Sequence, residues 1–264
     1  MRVFIEGIGV LGPGLNGWQA SSAVLRGDAD YISAPTVLVA SDLLPPAERR
    51  RTGVPVKLAL AVGHEAFVHA GRDAAQTATV FSSSGGDGDN VHQICETLAV
   101  AQLEISPTRF HNSVHNAAAG YWSIASHSMA PSTSLCGYDA SFAAGLIEAA
   151  VQVAVEGYPV ALIAYDHPYP EPLHTVRQIG ANFGVALVLT PHATQTTFAM
   201  LEINLAVGIE NLPMLADPSL EAVRASAPAA RCLPLLAALA RNTPETVLLE
   251  YLAGNHLRVE VTPC

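Results

Sequence analysis

Residues 139–165 constrain the fold more strongly than any other part of the sequence. They begin with an apolar helical pattern, DASFAAGLIEAAVQVAVE, which ends before Gly157, a residue type that often closes helices. Shortly after it, residues 159–165 (PVALIAY) form a continuous apolar run, which is typical of a central strand covered on both faces. A long apolar helix that leads into a buried strand predicts helices packed on a sheet.

The same alternation of helical and strand patterns runs along most of the chain. Strands are predicted at residues 2–10, 77–82, 183–189 and 198–205, and helices at 18–26, 56–70, 91–101 and 113–126. Further along, a helix is predicted at 233–240, and strands at 246–252 and 256–261 are joined through Gly254 and Asn255. Because strands alternate with helices, we expect an α/β fold with a parallel sheet and crossover helices.

Composition restricts the expected partners and location. Of the 264 residues, 50% are hydrophobic and 14% are charged, so large apolar surfaces must be hidden in a core or against a partner. The formal net charge of −10 argues against nucleic acid or an anionic membrane as the main ligand, since both attract basic surfaces. No stretch is apolar enough to predict a membrane-spanning helix. The four widely spaced cysteines predict neither a zinc site nor a disulfide framework, which favours a cytoplasmic location.

Three polar segments have more than one interpretation. Residues 82–87 (SSSGGD) lie between a strand and a helix, but they lack the lysine of a phosphate loop and predict a tight turn. His111 and His115 have the spacing of metal ligands on a helix; no third ligand is evident, so a pocket wall or an interface is favoured. The basic run at residues 49–51 is predicted to be solvated and paired with nearby carboxylates.

Cys136 and Asp139 are the candidate functional groups near the start of the long helix. The sequence has no nucleophile elbow of the G-x-S-x-G type, and Cys136 is a candidate nucleophile because of its place before a helix. Its alternative interpretation is a buried, small hydrophobic residue. Asp139 is predicted to be the N-cap of the helix, since aspartate favours this position and its charge suits the positive helix end.

Several of these segments resemble the β-ketoacyl synthases. Residues 3–10 (VFIEGIGV) resemble the V-x-I-x-G-x-G-V strand that opens that family, and residues 80–86 resemble its next strand and Gly-rich turn. Residues 105–150 are similar to the segment that carries the active-site cysteine, with Asn116, Ala119 and Gly120 matching its N-x-x-A-G motif. Residues 157–165 and 183–189 resemble the two strands that follow.

The resemblance implies a thiolase-like (ketosynthase) α/β fold with a shortened second half. Residues 1–205 are expected to form a domain like the N-terminal half of a ketosynthase. Residues 206–264 are expected to be a truncated C-terminal remnant that packs on the same core, so that the chain is a single domain overall.

The sequence departs from the family where the chemistry takes place. Nine residues after Ala130, at the position of the nucleophilic cysteine, the chain has Asp139, which cannot form the thioester that condensation requires. Phe142 replaces a glycine, which predicts a more crowded pocket. The motifs that supply the histidines and the lysine of the second half are missing. These departures predict a subunit without catalytic residues.

A synthase without nucleophile or bases resembles a chain length factor, and this short chain resembles those of aryl polyene synthesis. The resemblance implies a heterodimer with a catalytic β-ketoacyl synthase, whose acyl tunnel is capped by residues 107–126 and the strand before Asp139. An acyl carrier protein is expected to dock mainly on that partner, since carrier proteins are typically acidic, like this chain. No cofactor or metal is implied. The expected tunnel or interface residues are Phe110, His111, Val114, His115, Asn116, Tyr138, Asp139 and Phe142.

Two alternatives stay open. One is an active condensing enzyme or acyltransferase that uses Cys136, and it predicts that Cys136→Ala abolishes turnover. The other is a stand-alone scaffold protein of thiolase-like shape, and it predicts a well-behaved monomer or homodimer in the absence of any synthase.

Overall fold

A single mixed sheet forms the centre of the computed structural model of the chain, in which residues 1–39, 41–100, 104–208, 212 and 214–264 are described. Its order is β4-β3-β5-β6-β1-β7-β9-β8, with the short β2 paired to β1. The strands are β1 (Arg2–Gly12), β2 (Leu15–Asn16), β3 (Ala78–Ser82), β4 (Ser132–Leu135), β5 (Val160–Asp166), β6 (Phe183–Thr190), β7 (Ala199–Val207), β8 (Glu245–Glu250) and β9 (Asn255–Pro263).

Among the described residues, the structure has a helix at each of the six predicted positions and four further helices that the sequence patterns did not predict. Helix α1 has the predicted bounds, and Gly27 and Gly157 close α1 and α7 in the left-handed conformation, with φ angles of 89° and 73°. The helices are α1 (Trp18–Arg26), α2 (Pro46–Arg49), α3 (Val54–Ala70), α4 (Gly88–Ala99), α5 (Pro107–Asn112), α6 (Ala117–Ser126), α7 (Ser141–Glu156), α8 (Leu173–Val176), α9 (Pro218–Ser226) and α10 (Leu233–Arg241).

The expectation of a parallel sheet is wrong except at one end of the sheet. Strand β3 is parallel to β4 and β5, whereas β6 is antiparallel to β5 and β1, and β7, β9 and β8 continue the antiparallel pairing. A parallel neighbour needs a long crossover that returns the chain to the same end of the sheet, usually as a helix. The chain between β5 and β6 has only the four-residue helix α8, and β6 therefore runs back along β5.

Strand β5 has both faces covered, as its continuous apolar sequence predicts. Leu162 belongs to the core cluster formed with α7 and α10. The adjacent Ile163 belongs to the second cluster, which is formed with α3 and α6. Helices thus cover both faces of the central strands, which is the layered arrangement of an α/β fold.

Two glycines of β1 allow helix α3 to pack directly on the sheet. A Cβ atom at Gly9 would lie 2.0 Å from the carbonyl oxygen of Val62, and one at Gly7 would lie 2.1 Å from that of Ala66. A larger residue at either position would push α3 away from β1. The alternate glycines of the first strand therefore have a packing role.

Two predicted helices begin three or more residues away from their predicted first residue. The helix predicted at residues 113–126 is wrong over its first turn, because α5 ends at Asn112 and α6 begins only at Ala117. The Ser113 hydroxyl donates to the Phe110 carbonyl oxygen at 2.8 Å, and such bonds compete with helical ones. The helix predicted at 91–101 begins earlier, at Gly88, and residue 101 lies outside the described residues.

The C-terminal region joins the same sheet as the rest of the chain. The expected boundary at residue 205 lies inside β7, which pairs with β9 from Ala199 to Val207. The predicted C-terminal hairpin is confirmed, since β8 and β9 are antiparallel and Gly254 between them has a φ of 76°. The division of one domain into residues 1–205 and 206–264 stays a prediction.

Candidate functional site

Asp139 lies in a 3-10 turn, Tyr138–Ala140, between β4 and α7, at the edge where the parallel strands β3, β4 and β5 end. Ser141 holds this turn, because its hydroxyl donates to the Tyr138 carbonyl oxygen at 2.7 Å and accepts from the Gly137 N–H at 3.1 Å. Tyr138 has a φ of 55°, which is rare for a bulky residue. The backbone is therefore strained directly before Asp139.

Asp139 is not the N-cap of the long helix, contrary to the sequence prediction. Helix α7 begins at Ser141, its N-cap is Ala140, and none of the described side chains caps it. The Asp139 carboxylate instead contacts two guanidinium groups, with Oδ1 2.6 Å from Arg177 Nη2 and Oδ2 3.2 Å from Arg231 Nη2. Two charge-assisted contacts are stronger than a single bond to a backbone N–H, so the side chain turns toward the arginines.

Both arginines have further partners. Arg177 donates to the Ser84 hydroxyl at 2.8 Å, and its guanidinium carbon lies 3.7 Å from the centre of the Tyr138 ring. Arg231 pairs with Glu250 of β8 at 2.5 Å. Burial lowers the pKa of Arg177, but the hydrogen bond and the charge of Asp139 raise it more strongly. We refer to the four charged residues as the charge clamp: Asp139, Arg177, Arg231 and Glu250.

Asp166, which the sequence analysis did not identify, fixes the loop next to the charge clamp. It lies at the end of β5 and is 2% exposed. Its carboxylate accepts from the Ser84 N–H at 2.7 Å, the Ala229 N–H at 2.8 Å and the Ser83 hydroxyl at 3.3 Å. Burial raises the pKa of Asp166 to about 7, although these three hydrogen bonds and Arg177 act in the opposite direction. The residues after β3, which the sequence predicts as a tight turn, are thereby held in place.

Cys136 contacts the same loop. Its thiol donates to the Ser84 carbonyl oxygen at 3.1 Å, and its sulfur accepts from the Tyr138 N–H at 3.5 Å. The interpretation of Cys136 as a buried residue is wrong, because it is exposed. Within the described part of the chain, no histidine is among its hydrogen-bond partners, so the contacts include no base that would activate the thiol.

Four of the expected tunnel or interface residues surround one shallow cavity, of about 440 Å³, next to α5 and α6. Phe110 and Val114 remain 66% and 49% exposed. Large apolar side chains that are exposed side by side form the kind of surface that a partner covers. We refer to these four residues as the α5 surface: Phe110, His111, Val114 and Asn116.

The other expected residues lie in different surroundings. His115 Nε2 is 3.0 Å from the Ser83 carbonyl oxygen, and His115 and Asn116 also line a cavity beside β4. Tyr138 is 62% exposed and stacks on Arg177. Phe142 is 1% exposed and belongs to the core cluster on the α7 side of the sheet, so it does not lie on the surface. A tunnel role for these residues stays a prediction.

His111 and His115 do not share a helical face, because α5 ends at Asn112 and only His111 lies within it. The His111 ring packs edge-on against Tyr121, with ring centres 6.0 Å apart. Among residues 1–39, 41–100, 104–208, 212 and 214–264 there is no cluster of three or more His, Cys, Asp or Glu side chains that could hold a metal ion. His111 packs against Tyr121, whereas His115 contacts the Ser83 carbonyl oxygen.

An apolar cleft of about 770 Å³ lies between α4 and the residues that lead to Arg177. On one wall, Val91, Cys95 and Ala99 of α4 follow one another at helical spacing. We refer to the opposite wall, residues 169–176, as the rim segment. The sequence analysis did not identify this cleft.

The basic run at residues 49–51 has the local pairing that the sequence predicts. Arg49 pairs with Asp42 at 2.6 Å and Arg51 pairs with Glu48 at 3.2 Å, so the charges of these two arginines are balanced locally. Within the described residues, none of the helices combines the length and the apolar character needed to cross a membrane.

A family profile described as "Beta-ketoacyl synthase, N-terminal domain" matches residues 18–249. The chain belongs to this family. The charge clamp differs from what this family uses for catalysis. Its carboxylate, which is paired with two arginines, lies where the family resemblance places the reactive cysteine. No curated protein sequence matches at a significant level.

Solved structures agree with this assignment over the whole chain. A chain of the "Ketosynthase (ApeO) in Complex with its Chain Length Factor (ApeC) from Xenorhabdus doucetiae" is 24% identical, and the match covers 99% of both chains with a TM-score of 0.72. "The ishigamide ketosynthase/chain length factor" matches at 15% identity, 100% and 99% coverage and a TM-score of 0.73. A chain of the AntDE:AntF complex, a type II acyl carrier protein with its ketosynthase, matches at 12% identity, 100% and 99% coverage and a TM-score of 0.74. These similarities confirm the thiolase-like ketosynthase fold.

Proposed function

We propose that this chain is a non-catalytic chain length factor that heterodimerises with an active β-ketoacyl synthase and shapes its acyl or polyene tunnel. The observation that carries the proposal is Asp139, at the nucleophile position and bound by two arginines. The system in which it works would be a type II pathway of the fatty acid or polyketide kind, and we favour aryl polyene synthesis.

The charge clamp explains why residue 139 would not perform covalent catalysis. Condensation needs a nucleophile that takes the acyl group as a thioester and later releases it. A carboxylate would form an anhydride instead, and the lone pairs of Asp139 already bind Arg177 and Arg231. The sequence also lacks the histidine and lysine motifs that the family uses in its second half.

The α5 surface and strand β4 support a role in association. Phe110 and Val114 expose large apolar side chains. Strand β4 is at one end of the described sheet and pairs only with β3, which leaves one row of its backbone groups unpaired. We propose that the ketosynthase covers both features, because together they offer apolar contacts and open backbone hydrogen bonds.

Charge supports docking of the acyl carrier protein mainly on the ketosynthase. The chain has a formal net charge of −10, and an acidic carrier protein would be repelled by it. Arg49 and Arg51, which belong to the only basic run, have their charges balanced by Asp42 and Glu48. All four cysteines are unpaired, which supports the proposed cytoplasmic location of the complex.

Reconstitution with a candidate ketosynthase tests the proposal. We expect a stable 1:1 complex in size-exclusion chromatography with light scattering, and carbon–carbon bond formation only when both chains and the carrier protein are present. Cys136→Ala should leave the product yield unchanged, whereas the matching variant of the ketosynthase cysteine should abolish it. Condensation by this chain alone, or its loss in Cys136→Ala, would favour the active-enzyme alternative.

A further inference from the structure

The rim segment has little internal structure to hold its position. Its helix α8 has four residues, and so short a helix is not stable by itself. Inside it, the His174 N–H donates to the Pro170 carbonyl oxygen at 3.0 Å, and Thr175 binds the Glu171 carboxylate at 2.6 Å. The position of the segment relative to α4 must therefore come from contacts at its two ends.

Tyr169 anchors the first end. Its side chain packs against two glycines of the facing wall: a Cβ atom at Gly85 would lie 1.8 Å from the Tyr169 hydroxyl oxygen, and one at Gly88 would lie 2.6 Å from the ring. The absence of side chains at both positions lets the ring approach the start of α4 closely. This contact fixes only the beginning of the rim segment.

Arg177 anchors the second end. It directly follows α8, and its N–H donates to the Leu173 carbonyl oxygen at 2.9 Å. Its guanidinium group is bound by Asp139 at 2.6 Å and by the Ser84 hydroxyl at 2.8 Å, and it covers the Tyr138 ring. The last turn of the rim segment is thus attached to the nucleophile position through one side chain.

We propose that Asp139 is a positioning residue for the rim segment and, through Arg177, sets the width of the apolar cleft. This role goes beyond the proposed function, which needs only that residue 139 is not a nucleophile. The positioning role also requires a carboxylate at residue 139, because a neutral side chain would leave the guanidinium group of Arg177 without its charged partner. The second end of the segment would then keep only the weaker contacts of Arg177 with the Ser84 hydroxyl and the Tyr138 ring.

Hydrogen exchange of the purified chain, measured by mass spectrometry of peptides, tests the proposal. Asp139→Asn and Arg177→Gln each break the Asp139–Arg177 contact, and we expect amide exchange in residues 169–180 to become roughly fivefold faster, as loss of a partly buried ion pair predicts. Asp139→Glu, which keeps a carboxylate, should restore slow exchange. Wild type and variants are compared in the same assembly state.

Glu250→Gln is the matched control. It also changes a clamp carboxylate to an amide, but it removes only the second partner of Arg231 and leaves the Asp139–Arg177 contact intact. Exchange in residues 169–180 should therefore match the wild type. The proposal is wrong if Asp139→Asn leaves this exchange unchanged, or if Glu250→Gln speeds it equally. It is also wrong if faster exchange extends to β5, which would indicate general loosening.

The outcome does not depend on whether the chain is a chain length factor. The experiment measures motion in this chain alone, so it stands even if no ketosynthase binds. Conversely, if amide exchange in the rim segment is the same in Asp139→Asn as in the wild type, the positioning role is wrong. The proposed heterodimer would not be affected by that result.

Discussion

The charge clamp and the α5 surface differ in whether their side chains have partners within the chain. In the clamp, two carboxylates and two guanidinium groups pair with one another inside the chain. On the α5 surface, the side chains of Phe110 and Val114 remain largely exposed to solvent. The position that the family resemblance assigns to the catalytic cysteine thus has its charges paired within the chain, while the α5 surface exposes apolar side chains. This difference is the one that the proposed role in association predicts.

The largest expected effect comes from adding a charge to the α5 surface. Phe110→Asp should weaken the complex with the ketosynthase by at least roughly 30-fold, because central apolar contacts of an interface often contribute about 2 kcal/mol or more. Titration calorimetry or co-purification measures the loss. Folding of the chain should be unaffected, since the Phe110 side chain is already exposed.

Val155→Asp is the matched control, because it changes a residue that is 74% exposed at the end of α7 and belongs to neither cavity of the proposed interface. It should leave affinity unchanged. Equal losses of affinity for the two variants would mean that the α5 surface contributes no more to binding than other exposed apolar residues. No loss for Phe110→Asp would place the interface elsewhere.

A smaller effect is expected when the clamp is broken. Asp139→Ala leaves Arg177 without its charged partner and Arg231 with only Glu250, so the free energy of unfolding should fall by about 1–2 kcal/mol, a figure reduced because Asp139 is partly exposed. Urea unfolding measures the change. Glu245→Ala, which breaks the exposed pair with Arg241, should cost less than about 0.5 kcal/mol. If the free energy of unfolding falls by the same amount in both variants, the clamp contributes no more to stability than a surface ion pair.

Asp166 gives the stability a pH dependence. Burial raises its folded-state pKa to about 7 from an ordinary value of 3.8. Between these values the folded state binds the proton more tightly than the unfolded state, so the contribution of Asp166 to the free energy of unfolding falls as pH rises through this window. Asp166→Asn, measured by urea unfolding across that range, should have a flatter pH dependence than the wild type. Identical slopes would contradict the assignment.

The smallest expected effect is a change in product length. Val114→Phe should shorten the polyene and Val114→Ala should lengthen it, because both change the volume near the proposed tunnel while the complex and its condensation rate are maintained. Chromatography of the products with mass spectrometry measures the distribution. An unchanged distribution in both variants would place the tunnel wall at other residues of this chain.

The sequence predicted well those helices and strands that have one dominant local pattern. The strand at residues 2–10, the helix at 18–26 and the apolar run of β5 were each predicted from a local pattern, and the structure confirms all three. Strand β4 was visible only through the family resemblance, because its four residues, STSL, have no apolar alternation. Helix α9 has a signal that the sequence analysis did not use: Asp217 caps it, and Pro218 is its first residue.

The candidate site was only partly predictable. The resemblance located Asp139, but its role as an N-cap was wrong, because local rules do not include the distant Arg177 and Arg231. Asp166 has a usable signal, since it is a carboxylate directly after a buried apolar strand. The cleft had none, because its walls are brought together by contacts between distant residues, such as the packing of Tyr169 on Gly85 and Gly88.

The masses of both intact subunits after exposure to an acyl thioester test the central claim most directly. If this chain shapes the tunnel without covalent chemistry, the acyl group should be found on the ketosynthase partner alone, and Asp139→Cys should serve as the variant that shows whether the position is accessible to the reagent. Stoichiometric acylation of the unaltered chain, at Cys136 or at Asp139, would contradict the account.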